Sequence, residues 1–177
     1  MSDPADYQRL IGDLVRFGAV ASLDLASATC RVELGEILTG DLPWLAPRAG
    51  TTAIWSPPSV GEQCLLLCAE GDMLAGIVLV GIFSDAHPAP GTTARQLVRF
   101  PDGAELAYDP DAHALEALLP GGGTARIVAP GGITLVGPVT VEGALTASGD
   151  IVGAGVSLQQ HKHGQVQAGG AVSGKPL

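Results

Sequence analysis

The sequence predicts an all-β protein: a small closed barrel, then a triple-stranded β-helix or prism built by three chains together, with one short N-terminal helix. Three observations carry this. From residue 17 to 84, short apolar or alternating runs are separated by Gly, Pro, Asp and Ser. From Gly131 the chain repeats every six residues: GGITLV, GPVTVE, GALTAS, GDIVGA, GVSLQQ. Helical spacing is confined to the start, where Tyr7, Leu10, Ile11, Leu14 and Val15 follow a Pro4 suited to a first turn.

The elements follow in order. Residues 1–16 are assigned to the helix. Residues 17–84 form the barrel, from the runs GAVASLDL, ATCRVEL, TTAIWS, EQCLLLCA and LAGIVLVGIF. About five strands in about 70 residues fit a barrel of the oligonucleotide/oligosaccharide-binding (OB) type. Residues 85–124 comprise a linker, rich in Pro, Ala and Thr, and a β-meander that turns at Pro101-Asp102-Gly103 and Asp109-Pro110-Asp111. Residues 125–163 form the repeat, and residues 164–177 an apex and C-terminal tail.

Composition narrows the function. The chain has 177 residues and a formal charge of −9. That balance argues against a nucleic-acid partner, which needs a basic stripe. Nucleic-acid-binding barrels also use aromatic platforms, and aromatic residues are only 4% of this chain. Charged residues are 15%, against about 25% in an average domain, so much of the surface is expected to lie against partners. The runs CLLLCA and GIVLVGIF are too short to span a bilayer, and the acidic start MSDPADYQRL has no apolar core, so no signal peptide is expected. Cys30, Cys64 and Cys68 are read as reduced core thiols, because Cys64 and Cys68 would lie about 13 Å apart along a strand, too far to share a metal.

The hexads define one apolar side. Ile133, Val139, Leu145 and Ile151 follow their glycines by two residues, and Leu135, Val141, Ala147 and Gly153 by four. The period is even, so all eight share one parity and face one interior. The second series shrinks from Leu to Gly, which narrows the interior toward the C-terminus. A single-chain left-handed β-helix, as in hexapeptide acyltransferases, needs about three hexads per turn. Five would give under two turns, too few to close a solenoid, and the hexads hold no histidine to serve as a base. Three chains, each supplying one face, avoid this difficulty, so an obligate homotrimer is expected and a lone arm should be disordered.

His161 and His163 continue the odd register, with Lys162 between them facing out. On a threefold axis they assemble six imidazoles. Six nitrogens favour an octahedral first-row ion, with Fe ahead of structural Zn, which is nearly always four-coordinate. Val156 and Leu158 are apolar on the opposite register, leaving room for a kink at Gln159 and Gln160. His87 and His113 have no partner spacing and are assigned to the surface. A muralytic enzyme would need paired carboxylates across a cleft, whereas Asp85, Asp102, Asp109 and Asp111 read as turn formers, so no enzyme activity is expected. Trp44 and Trp55 could stack a sugar ring, but their place beside prolines favours core or interface packing.

Four segments together resemble the baseplate assembly protein V family, the central spikes of contractile phage tails and R-type pyocins. They are PSVGEQCLLLC (58–68), GDMLAGIVLVG (71–81), PDGAELAYD (101–109) and GDIVGAGVSLQQHKHG (149–164). The late Ser-Leu-x-x-His-x-His-Gly is the most specific of them. The resemblance implies a homotrimer whose barrel seats on tail hub and baseplate proteins, and a tapering β-helix. It also implies an apex where His161 and His163 of three chains hold one Fe ion. The implied role is mechanical: sheath contraction drives the trimer through the target's outer membrane, from a virion or bacteriocin particle assembled in the bacterial cytoplasm. The competing reading is a glycan- or protein-binding baseplate adaptor.

Overall fold

The computed structural model describes residues 12–162 and Gly169. The helix assigned to residues 1–16 therefore lies mostly outside the described residues. Gly12 and Asp13 are helical, but Val15 and Arg16 already belong to the first strand. The chain divides into two compact units, Met1–Thr124 and Ala125–Leu177.

The first unit is built on an antiparallel sheet that closes on itself. Strand β1 (Val15–Asp24) pairs with β2 (Thr29–Leu34) on one side and with β5 (Gln63–Leu67) on the other. Strand β5 pairs with β6 (Ile77–Ile82). On the far side, β2 carries both β3 (Ile37–Leu38) and β4 (Leu42–Pro43). Just past β4, Trp44 forms a parallel bridge to Val78 of β6, and the Leu45 N–H donates to the Val78 carbonyl at 2.8 Å. The ring β1–β2–β4–β6–β5 is thus complete. A bulge in β1 between Val20 and Ser22 supplies part of the curvature that closure demands.

Strict alternation fills the barrel. Cys30, Val32 and Leu34 of β2 are buried, as are Cys64 and Leu66 of β5, with Cys68 just beyond. Val20, Leu42 and Val78 complete the core, and Trp44, Met73, Val80 and Leu23 pack against it. The single buried polar side chain among the described residues, Thr39, is satisfied: its Oγ1 accepts from the Val32 N–H at 2.9 Å and donates to the Gly40 carbonyl at 2.9 Å. Glu62, from the PSVGEQC segment, ties two elements together. Its carboxylate accepts from the Ser59 N–H at 2.8 Å and from the Gly81 N–H of β6 at 3.0 Å.

The run TTAIWS, expected as a strand, is not one. The third position in the ring is taken by β4, and residues 51–56 lie in a loop with one isolated bridge, Ala49 to Ala53. Pro57 and Pro58 follow the run and lack the N–H that would carry a ladder onward, while the Ile54 N–H is taken locally by the Arg48 carbonyl at 3.0 Å.

After the linker, β7 (Gln96–Arg99), β8 (Glu105–Asp109) and β9 (Ala114–Leu118) form a three-stranded antiparallel meander. One face carries ion pairs, Arg99 to Glu105 at 2.6 Å and Arg95 to Glu116 at 2.6 Å. The opposite face presents Val98, Leu106, Tyr108 and Leu115, all exposed within this chain.

Two predictions follow from the barrel. A Cβ at Gly18 would sit 2.5 Å from Val32 Cγ1 and 2.8 Å from the Glu33 carbonyl oxygen. Because a backbone atom cannot step aside cheaply, Gly18→Ala should cost about 1–3 kcal/mol in denaturant unfolding. Gly40→Ala, with open space around it, should stay within about 0.5 kcal/mol. Burial pushes the Cys64 thiol up to about 11, with the neighbouring Cys30 and Glu62 adding to it, and burial raises Cys30 and Cys68 as well. Unfolded cysteines ionise near 9, so above that pH the unfolded chain sheds protons that the barrel retains. Stability should be unaffected by these thiols below pH 9 and fall as pH rises from 9 through 11, with a shallower fall in Cys64→Val.

Candidate functional site

The second unit differs from the barrel in where its apolar atoms lie. Every described residue from Ala125 to Lys162 is exposed except Ser157, which is half-buried. The side chains predicted to share one interior are among them: Leu135 is 70% exposed, Leu145 68% and Val139 62%. No strand pairing is present among the described residues between Leu118 and Val152. Up to Asp150 the repeat is therefore a chain with an apolar side and a backbone that joins no strand ladder among the described residues; the Gly132 N–H makes only a local turn bond, to the Ala129 carbonyl at 2.9 Å.

Its glycines set the shape. Gly137 and Gly143 take φ of 130° and 134°, a region closed to residues with a Cβ, and Gly132 takes 101° in the first hexad. The six-residue spacing of Gly137 and Gly143 thus places two backbone corners one hexad apart, with five residues between them.

At the end of the repeat the chain folds back. Strands β10 (Val152–Gly153) and β11 (Val156–Ser157) form a hairpin around Ala154 and Gly155, whose φ values of 50° and 82° are those of a tight two-residue turn. The Leu158 N–H donates to the Ile151 carbonyl at 2.9 Å, and the Gln159 N–H to Asp150 Oδ1 at 3.1 Å. The Ser157 hydroxyl bonds the Asp150 carboxylate and, with the Gln159 N–H, holds its carboxyl below the usual range. Residues 158–160 then turn, at the position where the opposed registers of Val156 and Leu158 left room for a kink.

His161 follows that turn. Its backbone N–H donates to the Ser157 carbonyl at 3.2 Å, and its Nδ1 lies 2.9 Å from the same oxygen. A carbonyl oxygen only accepts, so Nδ1 carries the proton and the lone pair falls on Nε2. This is the arrangement of a metal-ligating histidine, whose second nitrogen is usually anchored to a carbonyl or carboxylate. The orientation of His161 comes from this local contact. The register of the repeat cannot set it, because the chain reverses at residues 154–155. The hairpin had a signal in the sequence: Ala-Gly between Val-Gly and Val-Ser. Gly155 was counted instead as the fifth glycine of the hexads. His163 lies outside the described residues, as do residues 164–177 apart from Gly169. Among the described residues of one chain, no three His, Cys, Asp or Glu side chains cluster.

The other candidate residues do not gather. Asp102 accepts from the Ala104 N–H at 3.0 Å, and Asp109 from the Asp111 and Ala112 N–H groups at 2.9 and 3.2 Å; both shape meander turns. Asp85 and Asp111 lie at the exposed end of the linker and in the β8–β9 turn. His113 is exposed at φ 52°. His87 is half-buried rather than on the open surface, and lines a cavity of about 140 Å³ with Glu62, Phe83 and Pro88. Trp44 and Trp55 pack on each other, centroids 5.6 Å apart and tilted by 52°, with Trp44 against the core and Trp55 60% exposed.

A closed five-strand ring at one end of the chain and a histidine-bearing hairpin at the other are the marks of an injector-type baseplate protein. Residues 16–83 match the Type VI secretion system/phage-baseplate injector OB domain, and residues 155–176 match the GpV Apex motif. A curated relative, the "Spike protein" of Escherichia phage P2, is 40% identical over 142 residues, covering 80% of this chain and 66% of that protein, just under two thirds of its length. The chain belongs to the baseplate assembly protein V family of spike proteins.

Proposed function

We propose that the chain is the homotrimeric central spike at the tip of a contractile phage tail or pyocin baseplate, and that it pierces the target's outer membrane mechanically during sheath contraction. One observation carries the reading: among the described residues, a hexad segment whose apolar side is exposed and whose backbone joins no strand ladder between Leu118 and Val152. Such a segment is dry and fully hydrogen-bonded only when other copies supply the missing faces. Three copies around one axis put the Ile133, Leu135, Val139, Val141, Leu145 and Ile151 side chains inside and the interchain ladder around them. The printed name of the phage P2 relative supports the same role.

The mechanism asks for stiffness rather than bond chemistry. Bending an interwoven prism requires many interchain hydrogen bonds to break together. The corners at Gly137 and Gly143 keep each face short and flat. The apex prevents fraying where strands end. There, His161 and His163 of three chains offer six imidazoles to one octahedral first-row ion, iron first. His161 fits that use, because its Nδ1–H is committed to the Ser157 carbonyl and its Nε2 carries the lone pair. The ion, when bound, ties three chain ends with bonds that strengthen the folded state by mass action. At the other end, the loop between β4 and β5 exposes Leu45, Ile54 and Trp55, an apolar patch suited to a hub protein of the tail. The exposure of Trp55 is the feature that keeps an adaptor role as the second reading.

A native mass spectrum of the full chain should report three times the 17.8 kDa chain mass with one bound ion. A monomer at micromolar concentration would overturn the proposal. His161→Ala should keep the trimer mass and lose the ion, and its melting temperature should no longer respond to a chelator. Planar bilayers or outer-membrane vesicles driven against contracted particles should leak with the wild-type protein and remain intact when it is absent.

A further inference from the structure

Ser157 is the one described residue between Ala125 and Lys162 that is not exposed, and five hydrogen bonds converge on or beside it. Its hydroxyl bonds the Asp150 carboxylate and accepts from the Gln160 N–H at 2.8 Å. Its carbonyl accepts both the backbone N–H and the Nδ1–H of His161, at 3.2 and 2.9 Å. Asp150 closes the far side by accepting from the Gln159 N–H at 3.1 Å. A free imidazole populates two tautomers and swings about two side-chain torsions. Here one oxygen atom holds both the backbone and the ring of the same residue.

We infer that Asp150 and Ser157 are positioning residues for the apical ion: their clasp fixes His161 as the Nδ1–H tautomer and aims its Nε2 as the donor. The inference rests on the reading that His161 is a ligand. The chain of cause runs from Asp150 through the Ser157 hydroxyl to the hairpin, and from the Ser157 carbonyl to the ring. Loss of the Asp150 carboxylate removes the anchor of the Ser157 side chain and the acceptor of the Gln159 N–H, so the turn at residues 158–160 loosens and the carbonyl no longer faces Nδ1. Outer-shell partners of this kind typically set metal affinity by about 10- to 100-fold.

The test uses the full-length chain with Asp150→Ala, Asp150→Asn, Ser157→Ala and His161→Ala. Two readouts are taken. One is the rate at which ferrous-loaded protein gives up iron to EDTA. The other is the tautomer of His161, read from imidazole nitrogen shifts in metal-free protein. Asp150→Ala and Ser157→Ala should release iron about 10- to 100-fold faster and show a mixed tautomer, with Asp150→Asn intermediate because its amide oxygen still accepts from Gln159. Wild-type release in both alanine variants, with His161→Ala free of iron, would overturn the inference and leave the metal site standing. Faster release with an unchanged tautomer would also overturn it, since the clasp would then be only a brace for the hairpin. Retention of iron by His161→Ala would remove the ligand itself, and the inference with it.

Discussion

Backbone polar groups must find partners, and in residues 125–150 the chain offers them no strand ladder of its own. That constraint orders the rest of the molecule. In the barrel each of the five ring strands has a partner on both sides, by ladder or by the Trp44–Val78 bridge, and the alternating side chains meet in one core. In the hexad segment the same alternation produces an apolar side with nothing opposite it. The barrel follows one rule, that dry surfaces and paired amides go together; in the second unit the apolar side and the amides of the hexads before the hairpin are both open to solvent.

Much of this was legible because period carries physical information. Alternation in TCRVEL and QCLLL set the inward residues of β2 and β5, and the three cysteines fell on that inward side as small apolar fillers. The even hexad placed Ile133 through Ile151 on one side, whereas the corners at Gly137 and Gly143 come from their φ values in the structure. Less legible was any feature that depends on closure in three dimensions. Nothing in the composition of Leu42-Pro43 distinguishes it from a loop. It becomes a ring member because β2 reaches it and because Trp44 meets Val78. TTAIWS has a better strand composition, yet its Ile54 N–H is used in a local loop bond and two prolines stop it from continuing. The apex was half read. The sequence singles out His161 and His163 as a pair, but gives His161 a direction from a register that ends at Ala154. Short hydrogen bonds to Ser157 replace it, and such contacts have no periodic trace.

The two ends also differ in how they tolerate conditions. The barrel keeps its ionisable thiols neutral by burial and commits the half-buried carboxylate of Glu62 to two backbone donors of neighbouring elements. The tip keeps polar groups at the surface and ties them in a local circuit of Asp150, Ser157 and His161. Both sets of contacts form within one chain, the first through a buried core and the second through short-range hydrogen bonds.

The corners at Gly137 and Gly143 have a consequence for how such a shaft evolves. An insertion of one residue swaps wet for dry on every downstream position, and an insertion of two or four restores the parity but moves a side-chain-bearing residue onto a corner it cannot occupy. Only whole hexads can be added or removed without penalty. The length of such a repeat is therefore quantised, changing by steps of one hexad rather than by a continuous drift.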